Sequence, residues 1–508
     1  MKRIVIIGGG ITGLAAAHRV LELCSASGRQ VQLTLLEAGP RLGGIVQTHE
    51  RDGFLLEQGP DSFISEKPAA LKLAERLGLE SQLIGTNERD RRSFIGRQGR
   101  LLPVPEGFHL LAPARLWPFV TSEIFSWSGK ARMLMELALP RRKVNGSAAG
   151  YPDVSPDESL ADFVRRRLGR EALERMAQPM VGGIYTADPE KLSLQATMPR
   201  FLEMEHQHRS LIRALRAKQR RVDLGNDDKE TMPSSRPTSD EGTSGARYSL
   251  FLSFDRGMQV LTDKLGQRIS ESASQTRDEV APSIQVSTTV ESLTRELSAN
   301  DEPATWRIAT NRQQTFAADA VCLALPATAS ARLLRHLDAQ LATELEGISY
   351  SSSVTINLAY KRSDISHPLD GFGFVVPFIE KRSLLACTFS NVKFAGRAPE
   401  GFALLRAFVG GALQPELLEL DDEQLLSRVQ ADLRDLLGVR NAPLFTTVAR
   451  WRNSMPQYHL GHLDRVKKIQ QRLSSLGGLT LAGNAYAGIG IPDCIRSGEE
   501  SADYLVGL

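Results

Sequence analysis

Six residues near the N-terminus, Gly8-Gly9-Gly10-Ile11-Thr12-Gly13, constrain the fold more than any other part of the chain. They match G-x-G-x-x-G and stand between the apolar run Ile4-Val5-Ile6-Ile7 and a helix-forming stretch at 14–23 that contains Ala15, Ala16 and Ala17. A strand, a glycine turn and a helix in that order bring a helix N-terminus up to a phosphate, because the first N–H groups of a helix have no partner within it. Gly8 permits the tight turn, Gly10 keeps the backbone bare where a pyrophosphate approaches, and Gly13 lets helix and strand pack closely. Residues 31–36 read as a second strand. Glu37 ends it, 24 residues after Gly13, near the spacing at which an acid accepts hydrogen bonds from a ribose. A glycine motif alone is weak, since any glycine-rich turn can match it. Here the flanking strand, helix, second strand and acid agree, and together they predict a dinucleotide-binding unit.

The residues after the acid select the dinucleotide. Glu37-Ala38-Gly39-Pro40-Arg41-Leu42-Gly43-Gly44 carries a second glycine pair, which lets the chain pass close to the cofactor again. NAD enzymes do not usually have it. The pattern resembles the flavin-containing amine oxidase superfamily, which implies FAD.

Bulk properties narrow the rest. At 508 residues the chain has room for about three domains of ~150 residues. A net charge of +3 argues against nucleic acid as the main partner. Cys24, Cys322, Cys387 and Cys494 are far apart, with no C-x-x-C pair or Cys/His cluster, so neither a metal site nor a disulfide framework is expected. This reads as a reducing, cytoplasmic setting. The apolar run before the glycines is too short for a signal-peptide core, and no stretch approaches the ~18 apolar residues of a spanning helix. The protein is expected to be soluble or peripheral on the inner face of the cell membrane.

Along the chain, residues 48–56 read as a strand ending at Gly59-Pro60, and 68–77 as a helix stopped by Gly78. Residues 93–96 and 101–104 read as a hairpin. Arg89-Asp90-Arg91-Arg92 beside it is either a solvated turn or a grip for substrate carboxylates. Residues 107–140 crowd Phe108, Trp117, Phe119, Phe125 and Trp127 into helices followed by Arg141-Arg142-Lys143. Such a stretch either lies on a membrane or packs internally as a helical subdomain. Residues 180–189 read as a glycine turn within helices. Residues 223–245 are almost free of apolar side chains and are expected to be a disordered, dispensable insertion. Strands are expected at 284–290, 306–310 and 320–325, then an antiparallel substrate sheet at 354–360, 372–376, 384–388 and 404–409. The strand at 479–482, the small residues of 483–491 and a closing helix again bring backbone N–H groups to an electron-rich group.

The expected class is mixed α/β: an FAD-binding Rossmann-like two-dinucleotide fold with an antiparallel-sheet substrate domain and a helical membrane-associating subdomain. The expected segments are 1–85, 248–330 and 451–508 for FAD, 86–221 for the helical subdomain, 222–247 for the insertion, and 331–450 for the substrate sheet.

Arg41-Leu42-Gly43-Gly44, Glu57-x-Gly59-Pro60-Asp61-Ser62, Gly183-Ile184-Tyr185, Met455-Pro456-Gln457-Tyr458-x-x-Gly461-His462 and Ala482-Gly483-Asn484 through Pro492-Asp493-Cys494-Ile495 together resemble the oxygen-dependent porphyrinogen oxidases of haem synthesis. The resemblance implies FAD contacts at Gly8, Gly9, Gly10, Ile11, Thr12, Gly13, Glu37, Ala38, Arg41, Gly43, Gly44, Ile45, Gly59, Pro60, Asp61 and Ser62. It implies an adenine-end contact at Val290, flavin-end contacts at Gly483, Ile489, Gly490 and Ile491, and Trp451 beside the ring. The implied activity removes six electrons from the macrocycle in three two-electron steps, with molecular oxygen reduced to hydrogen peroxide. No His/Asp pair or paired carboxylate stands out for acid–base work, and the chemistry belongs to the flavin. The carbonyl of Gly183 is the implied substrate-orienting group, and Phe372 and Leu385 resemble apolar clamp residues or ordinary core. Where some relatives place an arginine for a propionate this chain has Ser93, which leaves Arg92 and Arg97 as the anchors to expect. The implied partners are a porphyrinogen and oxygen, with a homodimer and a hand-off to ferrochelatase as further expectations of the family. A flavin amine oxidase or polyene desaturase is the alternative reading.

Overall fold

The computed structural model describes residues 1–142, 157–223, 251–274, 281–296 and 305–507. The expected insertion lies outside them, apart from the first two residues of 222–247, which end the helix Leu211–Asp223.

The strand Lys2–Ile7 is covered on both faces, with Ile4, Val5, Ile6 and Ile7 at most 3% exposed, the pattern of a central parallel strand. It is the middle of a five-stranded parallel sheet, ordered Ser283–Gln285, Val31–Leu36, Lys2–Ile7, Ala320–Leu323, Leu479–Leu481. Three distant stretches of sequence thus build one nucleotide-binding layer. Helices Ile11–Ser27, Gln259–Ser274 and Ile491–Gly507 cover one face. A three-stranded antiparallel sheet (Val290–Glu296, Thr305–Thr310, Thr315–Ala318) and the helices Ala327–Leu334, Ala339–Glu346 and His462–Ser474 cover the other.

A seven-stranded sheet forms the second layer, ordered Phe445–Pro456, Tyr350–Lys361, Phe402–Gly410, Leu384–Phe389, Gly373–Val375, Ser93–Arg97, Arg100–Pro103. One face packs Ile356, Leu358, Phe374 and Leu405 against Leu425, Val429 and Leu433 of the helix Asp422–Leu437. The other face meets residues 57–59. Asn357 Nδ2 donates to the Glu57 carbonyl at 3.2 Å and Trp451 Nε1 to the Gln58 carbonyl at 2.8 Å, and the Arg406 guanidinium donates to the Gly59 carbonyl. The two layers are therefore joined at the segment expected to touch the cofactor.

Several boundaries differ from expectation for local reasons. Residues 48–56 are a hairpin, Thr48–Arg51 and Phe54–Glu57, because Asp52 and Gly53 turn with φ of 51° and 78°. Asp-Gly is a favoured hairpin turn. Residues 284–290 split at Ser287, whose N–H leaves the ladder for the Gly39 carbonyl at 2.7 Å. Gly182 and Gly183 do not turn the chain. They lie within the helix Gln178–Tyr185, which follows the π-helical turn Leu173–Ala177 and ends at Thr186 with φ of 48°. The hairpin Ser93–Pro103 joins the seven-stranded sheet rather than the helices that follow it, Ser93 lying parallel to Gly373 and Ile95 to Val375. Trp451 falls in the middle of that sheet's edge strand, not at the start of an FAD segment.

Most of 107–140 packs inward. Phe108, Phe119, Ile124, Phe125 and Met133 share a core with Leu160, Phe163, Met176 and Phe201. Beneath it the fully buried Arg167 and Glu136 pair, and Glu136 also accepts from the N–H of Leu211 at 2.8 Å. Trp117 and Trp127, however, project outward at 77% and 74% exposure. Among the described residues no helix is long and apolar enough to cross a membrane.

Candidate active site

The glycine loop and the second glycine pair touch. Gly43 N donates to the Gly9 carbonyl at 2.8 Å, and Gly10 and Gly43 form a parallel bridge. A Cβ at Gly13 would lie 1.8 Å from the Gly8 carbonyl oxygen, which shows how tightly the helix start is drawn to the strand end. At Gly10 an added Cβ would meet nothing within 4 Å. Bare backbone facing open space at a helix N-terminus is the cradle a pyrophosphate needs. Ile11, Thr12 and Gly13 are the first residues of that helix.

Glu37 reaches back to this loop. One carboxylate oxygen accepts from Gly9 N and the other from Gly39 N, each at 2.6 Å. Its backbone accepts from Thr288 N at 2.8 Å, which brings the turn before Val290 to the same edge. Arg41 directs its guanidinium inward, onto the carbonyls of Leu42 at 2.9 Å, Gly44 at 2.5 Å and Val46 at 3.2 Å. Its visible work is to fold the 41–46 loop, while Ala38, Gly44 and Ile45 stay exposed and Gly44 lies beside Gly10.

The segment 57–62 closes the groove's second wall. Gln58 N donates to the Gln47 carbonyl at 2.9 Å, and a Cβ at Gly59 would lie 1.7 Å from the Ile45 carbonyl oxygen. Pro60 is half-buried next to it. Asp61 points away to the sheet, with Oδ2 2.9 Å from Lys393 Nζ and 3.6 Å from Arg406 Nη1, and Ser62 Oγ donates to it at 2.7 Å. Burial would raise the Asp61 carboxyl, but the two cations and the hydrogen bonds outweigh burial and hold it well below the usual carboxylate range.

The third wall is the loop from Gly483 to Gly490. Gly483 N donates to Ser497 Oγ at 3.0 Å, and Gly490 N to Asp493 Oδ2 at 3.3 Å. Lys67 Nζ, 2.6 Å from Asp493, pairs with that carboxylate, which sits in the first turn of the helix beginning at Ile491. Gly498 sits where the last helix crosses the first, and a Cβ there would lie 2.3 Å from the Thr12 carbonyl oxygen. The glycine loop, the Gly43-Gly44 pair, Gly59 and Gly483 are thus brought close together, while Asp61 turns away to Lys393 and Arg406 and Trp451 binds the Gln58 carbonyl from the sheet.

The substrate-side residues are less closely grouped. Gly183 faces the sheet, its ideal Cβ 3.6 Å from Val375. Leu385 is buried near Gly411 and the Thr186 carbonyl, and Phe372 is buried at the head of its strand, donating N–H to the Arg92 carbonyl at 2.8 Å. Arg92 and Arg97 lie at opposite ends of one strand. Arg92 is exposed and paired with Asp370 at 3.1 Å. Arg97 donates to the Glu123 carbonyl at 2.6 Å and the Ile124 carbonyl at 2.5 Å, and lines a cavity of about 720 Å³ with Trp117 and Trp127.

A dinucleotide groove with a second glycine pair, facing a sheet that can hold a reactant, defines a flavin-dependent oxidoreductase with FAD as cofactor. Residues 11–506 match the model of the flavin containing amine oxidoreductase family, and the chain belongs to that family. It is similar to coproporphyrinogen III oxidase of Bacillus subtilis (strain 168), at 33% identity over 98% of this chain and 96% of that protein. The enzyme of the same name from Propionibacterium freudenreichii is 36% identical over 99% of this chain and 90% of its own. The crystal structure of a candidate protoporphyrinogen oxidase from Exiguobacterium sp. 255-15 superposes with a TM-score of 0.81 at 31% identity, covering 99% of this chain and 98% of that one.

Sequence reasoning missed Lys393, Arg406 and Lys67. Arg406 had a signal, a single cation inside the apolar run Leu404-Leu405-Arg406-Ala407-Phe408. A charge there must be paired if it faces inward. Lys393 and Lys67 had none.

Proposed function

We propose that the protein oxidises a porphyrinogen to the porphyrin in haem synthesis, with coproporphyrinogen III as the preferred substrate and oxygen as the final acceptor. The observation that carries this reading is the full-length likeness to relatives of that name at 33% and 36% identity, joined to the groove described above. FAD, when bound, supplies the two-electron acceptor. Gly8 to Gly13, Glu37, Gly43 and Gly44 bind its dinucleotide part, and the backbone at Ile489 and Ile491 meets its ring. The Gly183 carbonyl and the sheet face bearing Val375 orient the macrocycle without themselves titrating. The deciding experiment is turnover of coproporphyrinogen III and protoporphyrinogen IX by purified enzyme, followed by porphyrin fluorescence. A higher kcat/KM for protoporphyrinogen would reverse the preference, and no turnover of either would remove the function.

Arg97 is the proposed propionate anchor, because its strand runs on from Ser93 and Ile95 into a cavity. A charge-assisted bond to a carboxylate contributes about 1.5–3 kcal/mol. Arg97→Ala should raise KM roughly ten- to hundredfold with kcat little changed. Arg92 is already paired at the surface, where such pairs contribute about 0–1 kcal/mol, and Arg92→Ala should stay within a few-fold. Steady-state kinetics on both substrates reads this, and the reverse ranking would move the anchor to Arg92.

The exposed Trp117 and Trp127 suit an interfacial contact, since an aromatic ring with a polar edge partitions to the headgroup region. Lys130 lies over the Trp127 ring at 4.3 Å, but it is buried and donates to the Val120 carbonyl at 2.7 Å, so it holds the ring in place from within and leaves the exposed contact to the two indoles. Trp117→Ser with Trp127→Ser should reduce co-sedimentation with anionic vesicles several-fold while FAD stays bound. Equal co-sedimentation would leave the region a purely internal subdomain.

A further inference from the structure

The motif Met455-Pro456-Gln457-Tyr458-x-x-Gly461-His462 supplies no group to the groove, yet two adjacent side chains in it hold its two working parts. Gln457 and Tyr458 follow the edge strand Phe445–Pro456, where successive side chains point to opposite sides. Gln457 is 4% exposed, and the two hydrogens of its Nε2 are shared among the Tyr185 carbonyl at 3.1 Å, Ser351 Oγ at 2.9 Å and the Met455 carbonyl at 3.2 Å. Tyr185 ends the helix that carries Gly183, and Thr186 Oγ1 joins the same Ser351 at 2.7 Å. Tyr458 points the other way. Its hydroxyl donates to the Asn484 carbonyl at 2.6 Å and accepts from Gly488 N at 2.8 Å, bracing the loop that precedes Ile489. Its ring stacks on His462 at 3.9 Å and 11°. Burial pushes the His462 imidazole down to about 4, so at neutral pH the stack is between two neutral rings.

We propose that Gln457 and Tyr458 are positioning residues that form one joint, Gln457 fixing the substrate-side helix and Tyr458 fixing the flavin-side loop. Every atom they bind is a backbone group or a bridging hydroxyl, so the joint sets geometry rather than charge. The two halves are separable because the side chains share no partner. Tyr458→Phe keeps the ring stack but strands the Gly488 N–H and the Asn484 carbonyl, and the loop that aims the amides of Ile489 and Ile491 loosens. Those amides favour the reduced, electron-rich ring, so their loss makes reduction harder. Gln457→Leu keeps the volume but releases the helix end at Tyr185.

The test compares holoenzymes by dye-equilibrated midpoint potential, FAD dissociation constant and steady-state kinetics. Tyr458→Phe should move the midpoint potential to a more negative value and raise the FAD dissociation constant about tenfold. Gln457→Leu should leave both within twofold of wild type and raise KM for the porphyrinogen at least fivefold with kcat within twofold. An unchanged potential and FAD affinity in Tyr458→Phe overturns the proposal, as does the same pattern in both variants. If Tyr458→Phe does not fold, His462→Leu, which removes the ring that holds the Tyr458 hydroxyl against Asn484 and Gly488, should shift the potential in the same direction, and no shift overturns the proposal. The inference rests on the proposed placement of the flavin at 489–491. The redox measurements use no porphyrinogen, so a wild type that binds FAD but turns over no porphyrinogen rejects the function, while the redox contrast between the variants still decides the joint.

Discussion

Gly13→Val is expected to yield a protein with no visible flavin absorbance. The Cβ would lie 1.8 Å from the Gly8 carbonyl oxygen and 3.0 Å from its carbon, and both are backbone atoms that cannot rotate away. Gly8 is itself fixed, since its N–H donates to the Leu36 carbonyl at 2.8 Å and its own ideal Cβ would lie 2.3 Å from the Ala324 oxygen. The helix Ile11–Ser27 must therefore move off the strand, carrying with it the N–H groups that would meet the pyrophosphate. Overpacking of a core costs typically 1–3 kcal/mol, and a backbone clash belongs at the upper end. Gly10→Ala is the informative companion. Its Cβ would meet nothing within 4 Å, so the protein should fold with unchanged thermal stability in its flavin-free form, yet the methyl enters the space meant for phosphate. Flavin-to-protein absorbance ratio and thermal melting of both variants separate the effects. A Gly13→Val protein that purifies yellow would remove the close-packing argument.

What could be read from the sequence follows from how local its causes are. The strand–glycine–helix unit is specified by neighbours within one stretch, and it forms as expected, with the helix extended to Ile11–Ser27. The same holds for the hairpin Ser93–Pro103, whose turn Gln98-Gly99 has φ of 49° and 74°. Its pairing with Gly373–Val375 was not legible, because nothing at either place names a partner so distant in the chain. Residues 107–140 mixed two signals. Period and composition mark Phe119 and Trp117 as equally apolar, and only the fold decides that Phe119 is buried and Trp117 is not. The tight approaches at Gly8 and Gly13 were legible because glycines carry their backbone requirement in their identity. The charge cluster was not, since Lys393 looks like an ordinary surface residue and Asp61, expected as a cofactor contact, is instead paired with Lys393 and Arg406 once the sheet brings them together.

That buried charge cluster carries the second large effect. Asp61→Ala removes the carboxylate that lies 2.9 Å from Lys393 and 3.6 Å from Arg406, leaving two cations without it. Arg406 is 4% exposed and cannot turn to water. Glu57 does not substitute, because burial pushes its carboxyl pKa up and its oxygens are committed to Met258 N and Thr48 Oγ1, each at 2.7 Å. Breaking a buried pair by removing one partner costs about 3–5 kcal/mol. Asp61 keeps 19% of its side chain exposed, so water can approach and the lower end, about 3 kcal/mol, is expected. FAD affinity should fall as well, since Arg406 also holds the Gly59 carbonyl. Replacing the facing cation too, Asp61→Ala with Arg406→Met, should recover part of the loss, because the penalty is the unpaired charge and not the missing contact. Urea unfolding of the flavin-free proteins measures this, and a loss under 1 kcal/mol would show that the cluster is solvated. The pH dependence fixes the sign. Asp61 is held below its unfolded value of 3.8, so its contribution is fully present above that value. As pH falls below 3.8 the unfolded state takes up the proton first, and the advantage of wild type over Asp61→Ala should shrink.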